Sequence, residues 1–133
     1  MKKYNKLVRD KIPDIIKASG GECKFHVAKK GEFADVLKKK LIEEAQELNE
    51  KPCAEEIGDV LEVIEAMARM HHINLDEIKE AKKKKREERG GFNLMFVLDE
   101  ATEPKLERDG SHVHLKTGNT KKLLKNFITS GTK

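Results

Sequence analysis

Acidic residues recur at helical spacing in two neighbouring segments of the chain. Glu44 and Glu47 form an ExxE pair, and Glu56 and Asp59 form an ExxD pair a few residues further on. Residues three apart lie on the same face of a helix, so each pair can present both carboxylates to one point. Carboxylate oxygens bind hard divalent cations, and Mg²⁺ held in this way keeps waters and bridges to phosphate oxygens. The spacing therefore indicates a cage for Mg²⁺.

Each acidic pair lies at the edge of an apolar stripe on a helical projection. The first stripe is formed by Ala34, Leu37, Leu41, Ala45 and Leu48. The second is formed by Ile57, Val60, Leu61, Val63, Ile64, Met67 and Ala68. If the two helices pack antiparallel through these stripes, the four carboxylates converge half-buried, where like charges require a proton or a cation. The alternative is a solvated acidic face paired with Lys38, Lys39, Lys40 and Lys51.

Apolar periodicity and capping signals predict four helices. Pro13 suits the first turn of a short helix, which Gly20 and Gly21 should end. Three longer helices are predicted over 32–50, over 53–72 and from Asn74 to about Arg89. Asn74 with Glu77 resembles a capping box. The connection at Pro52 is so short that the first two long helices must form an antiparallel hairpin. The predicted fold class is an all-α antiparallel helical bundle.

Two short segments are predicted to be strands. Residues 22–28 alternate in part through Cys23, Phe25 and Val27, and residues 92–98 are almost wholly apolar after a pair of glycines. Pairing of these two segments would add a minor β element to the helical body. Cys23 and Cys53 belong to no metal or redox motif, so two free thiols in a reducing compartment are expected.

The positive charge of the chain is concentrated at its C-terminal end. Residues 1–100 contain 21 Lys+Arg and 21 Asp+Glu, whereas residues 101–133 contain 7 and 3 and so supply the whole net charge of +4. We therefore predict one domain over 1–103 and a basic extension over 104–133, in which 111–119 alternates like a strand and 121–128 suits a short basic helix. Nucleic acid is expected to bind only through this extension. No apolar run spans a bilayer and no leader is evident, so a cytoplasmic protein is expected.

Three sequence elements in this order resemble a known family. The EExxE…ExxD pattern, the opening YNKLVRDKIP and the RGGF after the last helix are similar to small single-domain members of the MazG-like all-α nucleoside triphosphate pyrophosphatases, over roughly residues 1–98. The resemblance implies Mg²⁺, with Mn²⁺ as a substitute, on Glu44, Glu47, Glu56 and Asp59. It also implies hydrolysis of nucleoside triphosphates, non-canonical ones among them, to monophosphate and pyrophosphate by a homodimer or homotetramer. Phosphoribosyl-ATP pyrophosphohydrolase shares this fold.

The chain departs from the family pattern in two places. Eight residues separate Glu47 from Glu56, fewer than in many relatives, which implies a tight hairpin without an inserted loop. The extension after residue 103 has no counterpart, which leaves room for an added function.

Attack of water on the α-phosphorus requires a group that orients or deprotonates the water and cations that bind the phosphates. Glu43, beside the predicted ligands, is the candidate for the first role, and a solvent-exposed Glu43 is the alternative. The candidate phosphate ligands are Lys82, Lys85, Arg86, Arg89, Lys6 and Arg9. The first four are spaced by three and four residues and can share one face of the last helix, which as a bare charge run would be solvated.

Two other classes of function are compatible with the sequence. In one, the protein is a nucleic-acid-binding or partner-binding module that acts through its basic extension, and the carboxylates are structural. Its binding would be sensitive to salt and would require residues 104–133. In the other, it is a purely structural helical oligomer with no dependence on Mg²⁺.

Overall fold

The computed structural model describes residues 1–102, and every regular element in that part of the chain is a helix. The helices are α1 (Ile12–Ala18), α2 (Lys30–Glu50), α3 (Ala54–Met70) and α4 (Leu75–Arg89). The predicted all-α class is confirmed. None of these helices is long and apolar enough to cross a membrane, as judged over residues 1–102.

The chain divides after Gly90 into two compact units. The first unit, Met1–Gly90, contains all four helices. The second begins at Gly91, and residues 91–102 of it are described. The predicted domain boundary at residue 103 lies further along the chain. The strand predicted over 111–119 and the helix predicted over 121–128 fall outside the described residues.

Helices α2 and α3 form the packed centre of the first unit. The three-residue connection Lys51–Cys53 turns the chain back, so the helices run antiparallel, as predicted. Leu37 of α2 is 1% exposed, and Val63 and Ala68 of α3 are also buried. These three residues are the buried apolar side chains of residues 1–102, and Leu37 is the one among them that is fully buried.

The apolar stripe predicted for α3 is only partly buried. Val63 and Ala68 are covered, whereas Ile57, Leu61 and Ile64 remain 48%, 53% and 38% exposed. A helix that packs against one neighbour buries only the residues that point towards that neighbour. The stripe is wider than this contact, so Ile57, Leu61 and Ile64 form an uncovered apolar face of α3.

Signals at the helix ends agree with the sequence in part: Asn74 caps α4, but the Glu77 bond that a capping box requires is not among the side-chain hydrogen bonds of residues 1–102. The Asn74 Oδ1 accepts a 2.8 Å hydrogen bond from the backbone N–H of Asp76 and caps α4. Gly90 ends α4 with φ of +84°, which suits a residue without a Cβ. His72 adopts a φ of +56°, and α3 accordingly ends at Met70, two residues before its predicted end.

The two predicted strands are wrong within residues 1–102. Residues 22–28 have no regular structure, and Phe25 and Val27 are 61% and 90% exposed. In the second segment, the Met95 N–H donates to the Phe92 carbonyl at 3.2 Å, which is a turn rather than a ladder. A short alternating or apolar run forms a strand only when another strand accepts its backbone hydrogen bonds, and this requirement is not visible in local sequence.

Leu37→Ala tests the contribution of the small core. We expect a loss of about 2–4 kcal/mol in the free energy of unfolding, because a fully covered leucine leaves a cavity between α2 and α3. Ile42→Ala on the same helix is the matched control, since Ile42 is 59% exposed, and it should cost less than about 1 kcal/mol. Urea unfolding monitored by circular dichroism measures both; equal losses would contradict the assignment of the core.

Candidate metal centre

The α2–α3 hairpin brings four acidic side chains together. Glu44 and Glu47 of α2 and Glu56 and Asp59 of α3 each place a carboxylate oxygen within 4.8 Å of the others. Helix periodicity places the two members of each pair on one face of their helix, because they are three positions apart in the sequence. The antiparallel turn then sets the two pairs opposite each other. The convergence expected from the sequence is present in the structure.

Two oxygens of this acidic cluster are buried without a partner. Glu44 is 7% exposed, and its Oε2 receives no hydrogen bond; the Oε2 of Glu56 is likewise buried and unpaired within the described part of the chain. A buried carboxylate oxygen without a donor is costly, and a negative charge in that position more so. Both oxygens lack a positive partner at the place where the other carboxylates converge. A bound cation would supply one.

Three cations border the cluster without filling its centre. Lys40 Nζ lies 3.2 Å from Glu44 Oε1 and 3.5 Å from Glu43 Oε1. Lys6 Nζ donates to Glu43 Oε1 at 3.1 Å. Arg9 Nη2 donates to Asp59 Oδ1 at 2.7 Å. The opening segment of the chain therefore contacts both helices of the hairpin, through Lys6 on α2 and through Arg9 on α3.

The formal charges of this group do not cancel. Five carboxylates, the four of the cluster and Glu43, are accompanied by the three cations just described, which leaves a net charge of −2. One divalent cation would neutralise that remainder. Six to eight oxygen ligands bind Ca²⁺, whereas Mg²⁺ needs only a few carboxylates and completes its octahedron with water and phosphate. The donor set is oxygen throughout, so a hard divalent cation fits this cluster.

The electrostatic strain of the cluster is visible at Glu47. A hydrogen bond with Glu44 raises the pKa of the Glu47 carboxyl above its ordinary value, and the negative charges of Glu44 and Glu56 raise it further. An acid whose pKa is higher in the folded chain than in the unfolded chain is less favourable in its ionised form after folding. Removal of that charge should therefore favour the folded state at a pH above the raised pKa.

Glu43 is in the opposite situation. Desolvation acts to raise the pKa of its carboxyl, but the hydrogen bond from Lys6 and the charge of Lys40 outweigh it, and the pKa lies below its ordinary value. The same hydrogen bond raises the pKa of Lys6. Glu43 is thus an ionised acceptor held between two lysines. This state suits a carboxylate that orients a water more than one that takes its proton.

The basic residues predicted on α4 form no ion pair with the acidic cluster among residues 1–102. All four, Lys82, Lys85, Arg86 and Arg89, are exposed. None of them forms an ion pair with an acidic side chain of residues 1–102. Their role in phosphate binding remains a prediction. Lys6 and Arg9, assigned to the same role, do lie beside the cluster.

Lys40 also belongs to the site, although the sequence did not distinguish it from the other lysines that could neutralise an acidic face. Its sequence spacing could have indicated this role. Lys40 lies three positions before Glu43 and four before Glu44, and side chains at both spacings are neighbours on a helix. Its side chain is only 15% exposed, so it belongs to the wall of the cluster.

No protein-family model, curated protein or solved structure matches this chain. The chemistry of the site is therefore inferred from its own side chains.

Glu47→Gln tests the repulsion within the acidic cluster. In EDTA at neutral pH, we expect the melting temperature to rise by about 2–4 °C, because one of the converging negative charges is removed. The gain should shrink as the pH falls through the raised pKa of Glu47, since the wild-type carboxyl is then protonated and uncharged.

Glu62→Gln is the control for this experiment. Glu62 is an exposed acid of α3 outside the cluster, so the same change of charge should leave the melting temperature nearly unchanged. Differential scanning calorimetry between pH 4 and pH 8 measures both variants. A wild type as stable as Glu47→Gln at neutral pH would show that the carboxylates do not repel one another.

Proposed function

We propose that this protein is a metal-dependent nucleotide pyrophosphohydrolase, which hydrolyses nucleoside triphosphates to the monophosphate and pyrophosphate. The single observation that carries the proposal is the acidic cluster of Glu44, Glu47, Glu56 and Asp59, with its two buried, unpartnered oxygens. The resemblance of the same residues to the MazG-like pattern supports it, as do the cations of the opening segment beside the cluster.

Mg²⁺ is the metal that we propose for the cluster, with Mn²⁺ as a substitute. The four residues offer carboxylate oxygens alone, on two helices that the hairpin holds together. A divalent cation bound there would neutralise phosphate charge and polarise the phosphorus for attack. The two unpartnered oxygens on Glu44 and Glu56 are the atoms that gain most from a cation, because neither receives any other positive contact among the described residues.

Glu43 is proposed to orient the attacking water by accepting its hydrogen bond. The oxygen of that water forms a bond to the α-phosphorus. The bond from the α-phosphorus to the bridging oxygen breaks, and pyrophosphate leaves with the bonding electrons. The proton of the water passes to solvent, since the low pKa of Glu43 makes this carboxylate a weak base.

Binding of the triphosphate requires cations beside the metal. Lys6 and Arg9 are proposed to contribute there, because both already lie at the border of the cluster on side chains that remain 44% and 57% exposed. An exposed cation can reach an incoming phosphate without first breaking a buried contact. The basic face of α4 is proposed as a second source of positive charge.

A homo-oligomer is proposed as the working form. The uncovered face of α3 consists of Ile57, Leu61 and Ile64, and a contiguous exposed apolar face of this kind is typical of an interaction site. Gly58 borders the same face, and a Cβ placed there would meet no atom within 4 Å. A helix-interior glycine costs about 1 kcal/mol relative to alanine, and close approach of another helix would offset it. A second copy related by a two-fold axis supplies the same apolar face.

Release of pyrophosphate tests the proposed reaction. We expect the wild type to release it from at least one member of a panel of canonical and modified nucleoside triphosphates, in Mg²⁺ and not in EDTA. Glu56→Gln should lower this rate by about 100-fold or more, because the variant removes a direct metal ligand. Glu55→Gln is the matched control, since the neighbouring residue of the same helix is exposed and outside the cluster.

Two further results complete this experiment. Glu43→Gln should retain Mn²⁺ binding and lose turnover, because it leaves the metal ligands in place. No release from any triphosphate, by a wild type with the circular dichroism of a folded helical protein, would reject the proposed reaction. Binding of nucleic acid that depends on residues 104–133 would then favour the alternative function.

Leu61→Glu tests the proposed oligomer. The variant places a charge in the centre of the uncovered face of α3, so we expect it to shift the protein from dimer or tetramer to monomer in sedimentation velocity. Val27→Glu is the matched control, because Val27 is 90% exposed in the segment between α1 and α2 and should leave the assembly intact. A wild type that sediments as a monomer would reject the proposal.

A further inference from the structure

The opening segment of the chain, residues 1–11, is held on the hairpin by few contacts. It contains no helix, and Leu7 is its one residue that is not exposed. Its two ion pairs reach across 37 and 50 residues of sequence, from Lys6 to Glu43 and from Arg9 to Asp59. These two ion pairs are the side-chain hydrogen bonds that join the segment to α2 and α3 among the described residues. Both involve exposed cations, and an exposed ion pair contributes little free energy, so one of them can be exchanged at small cost.

The contact of Arg9 differs in kind from that of Lys6. Lys6 pairs with Glu43, which lies outside the four-carboxylate cluster. Arg9 pairs with Asp59, a member of the cluster, and its Nη2 lies 2.7 Å from Asp59 Oδ1. Arg9 thus occupies an oxygen of a residue that the proposed metal requires, and it supplies part of the positive charge that the metal would bring.

We propose that Arg9 is an exchangeable counter-ion of the metal centre. It pairs with Asp59 while no divalent cation is bound, and it is displaced to the phosphates of the substrate when a cation takes the Asp59 carboxylate. This inference rests on the proposed function, because it assumes a metal on the cluster and a polyphosphate beside it. In this proposal Arg9 has two successive partners, first Asp59 and then the phosphates, whereas a permanent phosphate ligand would have one.

Charge and geometry favour displacement over shared binding. A divalent cation and a guanidinium on one carboxylate repel each other, and a metal neutralises Asp59 so that its attraction for Arg9 falls. The Arg9 side chain is 57% exposed, so it can turn to solvent at little cost. The planar guanidinium then presents two parallel donors to phosphate oxygens, a geometry that lysine cannot supply.

The exchange has opposite consequences for the two ligands. Before substrate binds, Arg9 competes with the metal, so its removal should strengthen metal binding. After the metal binds, Arg9 contacts the phosphates, so its removal should weaken binding of a polyphosphate. A residue that only held the opening segment in place, or that supported Asp59 as a hydrogen-bond donor to a ligand, would weaken both when removed.

Arg9→Gln separates these cases. Mn²⁺ alone, followed by the loss of the free-ion signal in electron paramagnetic resonance, should bind about two- to fivefold more tightly than to wild type, as expected for removal of one exposed ion pair. Inorganic triphosphate, titrated calorimetrically in a constant excess of Mg²⁺, should bind about tenfold or more weakly, because a charged hydrogen-bond donor is lost. Arg9→Lys should restore Mn²⁺ affinity to near the wild-type value and restore triphosphate binding only in part.

Lys6→Gln is the matched control for charge. It removes one positive charge from the same segment but from a carboxylate outside the cluster, so it should change Mn²⁺ affinity less than Arg9→Gln does. Mn²⁺ binding by Arg9→Gln that is unchanged or weaker than wild type, in a protein with wild-type circular dichroism, would overturn the exchange alone. A wild type that binds no Mn²⁺ would overturn the metal centre itself, so the two failures are distinguishable.

Discussion

Mutual repulsion among carboxylates that one helical hairpin forces together is the constraint on which the rest of this structure depends. Glu44, Glu47, Glu56 and Asp59 lie within 4.8 Å of one another, and Glu44 is nearly buried. Like charges at this separation in a half-buried place raise the free energy of the folded state unless a cation offsets them. The pKa of the Glu47 carboxyl is raised, first by a hydrogen bond with Glu44 and then by the negative charges of Glu44 and Glu56, which is the direction expected for converging carboxylates.

The cations around the cluster reduce the repulsion without removing it. Lys40 is nearly buried and bridges Glu43 and Glu44 within α2, so it is a fixed part of the wall. Arg9 comes from the opening segment, which has no regular structure, and remains more than half exposed. The two cations therefore have different positions, with Lys40 within a helix and Arg9 in the opening segment, where we propose that it is exchangeable. The net charge of −2 that remains is equal and opposite to the charge of one divalent cation, so the proposed chemistry begins with metal binding.

The same hairpin explains why residues 1–102 bury so few apolar side chains. Two antiparallel helices cover one strip of each other, and here that strip buries Leu37, Val63 and Ala68. The acids are at the edge of the strip, so this part of the interface is not available for apolar packing. The apolar residues of α3 that remain uncovered, Ile57, Leu61 and Ile64, are exposed among the described residues. The acidic cluster and this exposed face both follow from the limited width of a two-helix contact.

Local sequence determined which segments are helical and the meeting of the four acids, while tertiary structure decided what surrounds them. Helix periodicity and capping depend on residues three or four apart, so the hairpin, the Asn74 cap and the convergence of the acidic pairs were predictable. The pairing of Arg9 with Asp59 joins residues 50 apart, and no local pattern specifies it. The width of the buried stripe and the absence of strands from residues 1–102 also depended on distant partners. Sequence specifies which face of an element is apolar or charged; only the folded chain determines which other element, if any, lies against that face, because that choice depends on contacts between residues far apart in sequence.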